Sequence, residues 1–319
     1  MSPAVPELFD LPKSYQPRNR LEFARWLVGG KNPLVARVTV NRFWQSYFGH
    51  GLVRTPDDFG AQGTPPSHPE LLDWLAMEFV KSGWDMKHIN RLIVTSATYR
   101  QSSRILPGGR KSDPENLWLA HMPRVRLPAE QIRDQALAIS GLLNRKTGGA
   151  PVFPVQTPDY WEKRVLPGKW KNSQGMDRHR RTLYTYWRRM ALHPTLELLN
   201  APARENCVVR RNVSNVPTQA LALMNDPIFS ETAYAFARRL FKEVKTDPEK
   251  RLDRAFRLAL GRSPKQDEKK KFLIFIDQQE KDLGKDDQAA RQIADNQELA
   301  AWTLACSVLL NLDETITRP

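Results

Sequence analysis

Cysteine is scarce in this chain of 319 residues, in which Cys207 and Cys306 are the only two. Two cysteines allow at most one disulfide and can build neither a disulfide-dense scaffold nor a four-cysteine zinc site. The Cys-x-x-Cys-His motif is absent, so the sequence predicts no cofactor in this chain and no attached haem. Long apolar runs are also missing, which predicts no membrane span, and the first thirty residues contain no apolar export segment.

The common catalytic motifs are missing as well. The sequence has no Gly-x-Ser-x-Gly elbow, no Walker glycine loop, no Gly-x-Gly-x-x-Gly after a strand and no His-Glu-x-x-His pair. These absences exclude the usual signals of α/β-hydrolases, nucleotide-binding proteins, dinucleotide-binding proteins and zinc proteases. The histidine spacing predicts no metal site. The six histidines are His50, His68, His88, His121, His179 and His193.

Acidic residues are few relative to basic ones, with 35 Asp and Glu against 49 Lys and Arg, and the pI is near 9.9. Acidic partners are therefore expected. Twelve Lys and Arg residues lie between 163 and 211, interleaved with aromatic residues. Such a segment suits an anionic polymer, but a basic surface over buried aromatics explains it equally well. No nucleic-acid-binding signature is present, so nucleic acid is disfavoured. The candidates in this region are Trp161, Trp170, Lys171, Arg180, Arg181 and Trp187.

The spacing of apolar residues predicts a mainly α fold made of many helices. Residues 1–20 are rich in proline and polar residues, and we interpret them as a linker from a missing upstream region. Residues 21–147 and 213–319 have helical periodicity. Residues 148–212 form a basic, aromatic, irregular or β insertion, in which Arg181–Met190 is predicted to be a strand.

Several helix ends carry local signals. Asn32-Pro33 predicts a helix start and Gly49 its end, with a polar row on that helix that either faces water or lines a cleft. Ser67 to Glu70 has the pattern of a capping box. Asp113-Pro114 predicts a further helix start, and Gly261 followed by Ser263 predicts a stop and a new start.

The glycine- and proline-rich loop 49–66 carries the best candidates for chemistry. It supplies Asp57 and Asp58, and His68 stands in the first turn of the next predicted helix. A carboxylate paired with an imidazole can do acid–base work or bind a metal. The favoured alternative is that the aspartates cap turns. Cys207 lies near three arginines that favour a thiolate, although a small buried cysteine is the simpler interpretation.

Six ordered blocks of the sequence are similar to a known family. The blocks are NPLVARVTVNRFWQSYFGHGLVRTPDDFGAQGTPPSHPELLDWLA, LIVTSATYRQSS, RRTLYTYWRR, APARENCVVRR, NVPTQALALMNDP and ELAAWTLACSVLLNLDE. Together they resemble the planctomycete PSD domain, domain of unknown function family 1553, from about Leu21 to Glu314. The resemblance implies one family domain over residues 21–319.

The resemblance implies a context but no activity. Members of the family form the C-terminal part of exported proteins, behind a cytochrome-c-like domain and a second planctomycete domain, and are encoded beside a sulfatase-like protein. An exported, periplasmic or cell-surface location is therefore expected, with haem only in an upstream domain of relatives. This chain departs from that layout because it lacks those domains and a signal peptide, which suggests a truncated product or an excised domain.

Polar residues within the blocks indicate either a shared polar cleft or a buried network that fixes the fold. We predict a binding module for an anionic glycan or partner protein. One alternative is an enzyme that acts on acidic or sulfated polysaccharide, and another is a docking module for electron transfer with the cytochrome-like domain. The polar candidates are Asn41, Arg42, Asp57, Asp58, His68, Tyr99, Arg100, Arg204, Arg211, Asn215 and Gln219.

Overall fold

The computed structural model describes residues 17–30, 32–105, 107–156, 160, 170–189 and 191–318. Most of the predicted linker and the candidate Trp161 lie outside the described residues. The described chain divides into two compact units, and the second extends from Arg126 to Arg318. The prediction of a mainly α fold is confirmed.

Helices are the main regular structure of both units, and the described strands form one small sheet of two paired strands. The strands are β1, Val125–Arg126, and β2, Thr317–Arg318. The helices are α1 Arg20–Val28, α2 Leu34–Phe48, α3 Pro69–Lys81, α4 Met86–Thr95, α5 Gly109–Ser112, α6 Ala129–Ser140, α7 Pro194–Leu198, α8 Pro217–Asn225, α9 Pro227–Glu243, α10 Pro248–Leu260, α11 Gln266–Leu283, α12 Asp287–Ile293, α13 Gln297–Asn311 and α14 Asp313–Ile316.

The core of the first unit is aromatic and lies between α2, α3 and α4. The rings of Trp44 and Phe48 stack with centroids 4.2 Å apart, and Phe79 meets Phe43 edge to face at 5.8 Å. Helix α2 ends at Gly49, whose φ of 79° suits glycine best. The helix that was predicted from the apolar spacing therefore packs as expected.

The core of the second unit is built around α13, which packs against α9 and α11. Small residues on α13, Ala300 and Ala301 among them, are fully buried and let neighbouring helices approach closely. Trp302 and Cys306 are buried on the same helix, and burial raises the pKa of the Cys306 thiol. Cys306 is therefore an inert core residue.

The strand predicted for Arg181–Met190 is wrong over the described residues 181–189, and Met190 lies outside the described residues. Thr182–Tyr184 forms a single 3₁₀ turn, and the surrounding segment makes only isolated bridges, such as that between Val152 and Thr185. The physical reason is that a side chain takes the hydrogen bond that a neighbouring strand would otherwise make. The Thr182 N–H donates to the Asp134 carboxylate at 2.7 Å. A backbone that is bound by side chains does not need a neighbouring strand.

Three predicted helix starts also need correction. Helix α3 begins after His68, since Ser67 instead donates its backbone N–H to the Leu52 carbonyl at 2.9 Å. Asp113-Pro114 starts no helix, because the Asp113 carboxylate accepts two backbone N–H groups that close a turn. Helix α11 begins at Gln266, where the Glu268 carboxylate accepts the Lys265 N–H at 2.7 Å.

Candidate functional site

The loop candidates of the first unit make local contacts. One Asp58 carboxylate oxygen accepts the Gly60 N–H at 2.7 Å, as in a turn, and Asp57 is exposed. His68 is half-buried, and its Nδ1 lies 3.0 Å from the Ser67 hydroxyl. Within the described residues, neither aspartate is hydrogen bonded to His68. The acid–base site remains a prediction.

Asn41 is fully buried and holds the same loop in place. Its Oδ1 accepts the Val53 N–H at 2.9 Å and its Nδ2 donates to the Val53 carbonyl at 3.1 Å, as a neighbouring strand would. A Cβ added at Gly51 would lie 2.5 Å from the Asn41 amide, so the glycine is needed for this close approach. The polar row of α2 therefore does not face water at Asn41, and this residue belongs to a buried network.

The other candidates of the first unit differ in their surroundings. Tyr99 packs edge to face on Tyr47, with centroids 5.7 Å apart. Arg42 and Arg100 are exposed, and the Arg100 Nε donates to the Ser96 carbonyl at 3.5 Å. Tyr99 therefore contributes to packing, whereas the two arginines are available at the surface.

Arg133 is the centre of a polar network in the second unit, which we call the buried arginine cluster: Arg133, Asp134, Arg180, Thr182 and Glu231. Arg133 is only 2% exposed. Its guanidinium donates to the Arg180 carbonyl at 2.9 Å and to the Thr182 hydroxyl at 3.1 Å. Burial lowers the pKa of Arg133 to about 10, while the nearby Asp134 carboxylate acts in the opposite direction. The Arg133 guanidinium on α6 therefore holds the insertion in place at Arg180 and Thr182.

Arg180, predicted to bind a ligand, is buried in this cluster. Its guanidinium donates to the carbonyls of Lys146, Gly148 and Ala150, which clamps the start of the insertion. The guanidinium carbon also lies 3.9 Å from the centre of the Tyr184 ring, within the range of a cation–π contact. This geometry assigns Arg180 a structural role inside the unit.

Two histidines border the cluster. The His179 Nε2 lies 3.0 Å from a Glu231 oxygen, and the other Glu231 oxygen accepts from Arg178 at 3.1 Å. The His193 Nε2 lies 3.1 Å from the Val155 carbonyl. Burial, together with the positive charge of Arg133, lowers the pKa of His193 to about 4, so its ring is neutral at physiological pH.

Aromatic residues of the insertion pack against each other. Trp170 lies edge to face with Phe153 at 5.0 Å, and its Nε1 donates to the Pro154 carbonyl. Phe153 stacks on Tyr186 at 4.8 Å. Trp187 is half-buried, and the Arg204 guanidinium lies 4.8 Å from its ring centre. These contacts favour the interpretation of a basic surface over packed aromatics.

Other basic candidates of the insertion reach the surface. Lys171 is exposed, and Arg181 is exposed with its Nε 3.5 Å from an Asp134 oxygen. Gln219 is buried, donates to the Leu198 carbonyl at 2.9 Å and accepts from Arg126 at 3.1 Å. Asn215 is exposed. Lys171, Arg181 and Asn215 therefore lie at the surface, whereas Gln219 belongs to a buried hydrogen-bond network.

A long exposed segment lies between Ala201 and α8, and we call residues 203–216 the arginine–valine loop. Every residue from Ala203 to Val213 is exposed. Ser214 anchors the end of the loop, since its hydroxyl accepts from Asn200 at 2.6 Å and from Gln219 at 3.1 Å. The arginines of the loop are Arg204, Arg210 and Arg211, and its valines are Val208, Val209, Val213 and Val216.

The three arginines of this loop differ in their partners. Arg204 lies over Trp187, and Arg211 pairs with a Glu130 oxygen at 2.7 Å. Arg210 has no ion-pair partner among the described residues. Cys207 is exposed here, so the predicted small buried cysteine is wrong at this position. The loop therefore displays cationic, apolar and thiol groups together.

The described residues contain no group of three His, Cys, Asp or Glu side chains that could hold a metal ion. None of the described helices is long and apolar enough to cross a membrane. A family model of proteins of unknown function, PSD1 (DUF1553), matches residues 19–276. The chain belongs to the PSD1 family. No curated protein and no solved structure matches this PSD1 chain at a significant level.

Sequence reasoning missed the central residue of the network in this PSD1 chain. The residues at i−4, i+3 and i+4 from Arg133 are all apolar and buried: Ala129, Ala136 and Leu137. An arginine inside the apolar stripe of a helix predicts a buried cation. His193 gave no such signal, because its burial depends on contacts with residues far away in the chain.

Proposed function

We propose that this PSD1 chain is a non-catalytic binding module that holds an acidic partner protein on the arginine–valine loop. The observation that supports the proposal is the joint exposure of arginines and valines over one continuous segment. Arginine is enriched in protein interfaces because its planar guanidinium binds carboxylates in a fork and its stem covers apolar groups.

The apolar residues favour a protein over a glycan. Val213 is 68% exposed, and Leu221 and Met224 on α8, which follows the loop directly, are also exposed. Such side chains gain from burial against other apolar groups, which a sulfated or uronic polysaccharide does not offer. The rings that would stack on sugars, Trp170 and Tyr186, are engaged with other aromatics.

Charge supports an acidic partner. The chain carries a net charge of +14, and Arg210 in the middle of the loop has no ion-pair partner among the described residues. An acidic surface would therefore be attracted from a distance and then held by the guanidinium groups. An electron-transfer partner with an acidic face would fit the same surface, and any haem would belong to that partner. The exported location implied by the resemblance is part of this proposal.

The test uses a labelled amphipathic peptide of Glu and Leu as the acidic apolar probe, an all-Glu peptide of the same length and a heparin oligosaccharide. Fluorescence anisotropy with the full chain is expected to show binding of the Glu–Leu peptide that weakens with added salt. Arg210→Glu and Val209→Ser should each reduce the affinity about tenfold. The charge-matched control is Lys270→Glu on α11, an exposed site that should leave binding unchanged.

Other outcomes decide against the proposal. Equal binding of the all-Glu peptide, with no effect of Val209→Ser, would reduce the loop to a general anion-binding surface. Heparin binding that requires Arg210, without binding of the Glu–Leu peptide, would restore the anionic glycan as the ligand. A loss of binding in Lys270→Glu as large as that in Arg210→Glu would remove the loop from the explanation.

A further inference from the structure

Helix α8 presents an apolar stripe to solvent. Leu221 is 58% exposed and Met224, three residues later, is 52% exposed. Ala220 is exposed on the same side, and so is Pro217 at the start of the helix. We call these four residues the α8 stripe. At about 100° and 1.5 Å per residue, the stripe is about 100° wide and about 10 Å long. Exposed apolar residues at this spacing are typical of a surface that another protein covers.

Helix α8 is a fixed part of the second unit, because it packs on α7, α9 and α13. Gln219, Ala222 and Leu223 lie on the side opposite the α8 stripe and are buried. The Gln219 side chain donates to the Leu198 carbonyl at 2.9 Å and to the Ser214 hydroxyl at 3.1 Å. These bonds tie the end of the arginine–valine loop to the first turn of α8. The two surfaces therefore keep one relative position.

The apolar surface continues from α8 into the arginine–valine loop. Val213 and Val216 are both exposed, and they stand just before the first residue of α8. Ser214 lies between them and is held by Gln219, so both valines stay beside the first turn of the helix. The α8 stripe and these valines therefore form one apolar surface.

Positive charge lies at the N-terminal end of this surface. The Arg126 guanidinium donates to the Gln219 side-chain oxygen at 3.1 Å. Arg211 is neutralised by Glu130 at 2.7 Å, whereas Arg210 has no ion-pair partner among the described residues. The free N–H groups of the first turn add partial positive charge. A complementary partner would therefore carry carboxylates at one end of an apolar stripe.

We propose that the acidic partner docks as an amphipathic helix, which covers the α8 stripe with its apolar face and places carboxylates beside Arg210. This inference rests on the proposed function, and it adds the form of the partner and a second contact surface. Two helices pack when the side-chain rows of one fit between the rows of the other. An extended partner would gain from a free sheet edge, whereas the backbone groups within α8 are bonded inside the helix.

Two other occupants fit this surface less well. A second copy of this chain in a symmetric dimer would bring the arginines of two loops together, and their like charges would oppose the contact. An anionic membrane would attract the arginines, but the α8 stripe carries neither Trp nor Phe, which anchor interfacial helices. A helical protein partner with carboxylates satisfies both the charge and the apolar stripe.

The experiment compares two labelled peptides with the same composition of Glu, Leu and Ala. In the first, the leucines recur at the spacing of one helix face, and in the second they alternate with polar residues as in a strand. Fluorescence anisotropy with the full chain is expected to show at least about tenfold tighter binding of the helical peptide. Its circular dichroism should also gain helical signal when it binds.

Leu221→Ser and Met224→Ser should each weaken binding of the helical peptide about tenfold, whereas Leu221→Met should retain the affinity. The matched control is Ile274→Ser on α11, because Ile274 is 57% exposed in the same unit. This control should leave binding unchanged. Thermal unfolding of every variant, followed by circular dichroism, checks that the second unit remains folded.

Equal binding of the two peptides, with no effect of Leu221→Ser, would overturn the helical docking. If Arg210→Glu still weakened binding in that case, the proposed partner of the loop would stand. No binding of either peptide would overturn both proposals. A loss in Ile274→Ser as large as that in Leu221→Ser would also overturn the α8 stripe as the contact surface.

Two further measurements address the other occupants. Vesicles of equal phosphatidylcholine and phosphatidylglycerol test a membrane, and sedimentation velocity at several concentrations tests a second copy. Vesicle binding that Leu221→Ser abolishes, without binding of the helical peptide, would assign the surface to a membrane. A dimer that Leu221→Ser dissociates would assign it to a second copy. Either result would overturn the helical partner.

Discussion

Two sets of arginines in the second unit have the same chemistry and opposite surroundings. Arg133 and Arg180 are each 2% exposed and donate to backbone carbonyls, whereas the arginines of the arginine–valine loop are exposed. The buried set replaces the hydrogen bonds that a strand would make, and its removal leaves acceptors without donors. The exposed set stabilises little by itself and is available to a partner. Arginine content alone therefore does not locate a binding surface.

The largest expected effect is on Arg133. Arg133→Met keeps much of the side-chain volume but removes the donor of the Arg178 and Arg180 carbonyls and one of the two cations beside the Asp134 carboxylate. We expect the free energy of unfolding to fall by about 3–5 kcal/mol, as when one partner of a buried charged network is removed. Urea denaturation followed by circular dichroism measures it. A loss below about 1 kcal/mol would mean that the buried arginines contribute no more to stability than the exposed ones.

Acid should weaken the same region through His193. Its pKa is about 4 in the folded chain and about 6.5 when unfolded, so the unfolded chain binds more protons between these values. Stability contributed by the neutral ring is complete above about pH 6.5 and is lost as the pH falls to 4, by about 3 kcal/mol.

His193→Gln removes this titration and should flatten the dependence of unfolding free energy on pH over that window. Burial raises the pKa of the neighbouring Asp226, which acts in the opposite sense, because the folded chain then takes up a proton more readily. An unchanged slope in His193→Gln would contradict the assignment of acid sensitivity to this ring.

Arg262 is an intermediate case that sharpens the comparison. Its guanidinium forms paired hydrogen bonds of 2.7 to 2.8 Å with both Glu268 and Glu314, and these bonds raise its pKa. The groups are partly exposed, so water and salt screen them. Arg262→Met should lower the unfolding free energy by about 1 kcal/mol, and added salt should reduce the difference. A loss equal to that of Arg133→Met would show that burial is not what separates the cases.

The smallest expected effect on stability is at the loop. Arg210→Met changes an exposed side chain without an ion-pair partner among the described residues, so the unfolding free energy should shift by less than about 0.5 kcal/mol. Thermal and urea unfolding should both superimpose on the original curves. A large destabilisation would mean that the loop is part of the folded network and not a free surface.

Helix ends could be predicted from the sequence where the backbone conformation of a single residue decides them. Gly49 and Gly261 end helices in the left-handed conformation, and Pro227 begins α9 immediately after the Asp226 cap. The strand predicted from the aromatic and β-branched residues of 181–190 does not form. Asp134 on α6, which is far away in the sequence, accepts the hydrogen bonds of Thr182 instead. Such tertiary contacts outweigh the strand propensity of these residues.

The candidate site was predictable only in part. The basic segment and its aromatics were visible in the sequence, but which arginines are buried depends on carbonyls such as those of Lys146 and Gly148. The exposure of Leu221 and Met224 could not be predicted, because no short sequence pattern encodes exposure. Arg133, by contrast, could have been recognised from its place in the apolar stripe of α6.

The pairing near the ends of the second unit has a consequence for protein synthesis. The Leu127 N–H donates to the Ile316 carbonyl at 2.9 Å, and Gln135 donates to the Thr315 carbonyl at 2.9 Å. The residues that begin this unit thus find their partners almost two hundred residues later. On a ribosome, the apolar face of α6 can pack as soon as α9 is made, whereas the Leu127 N–H and the Gln135 side chain must bond to water until their acceptors at 315 and 316 leave the exit tunnel.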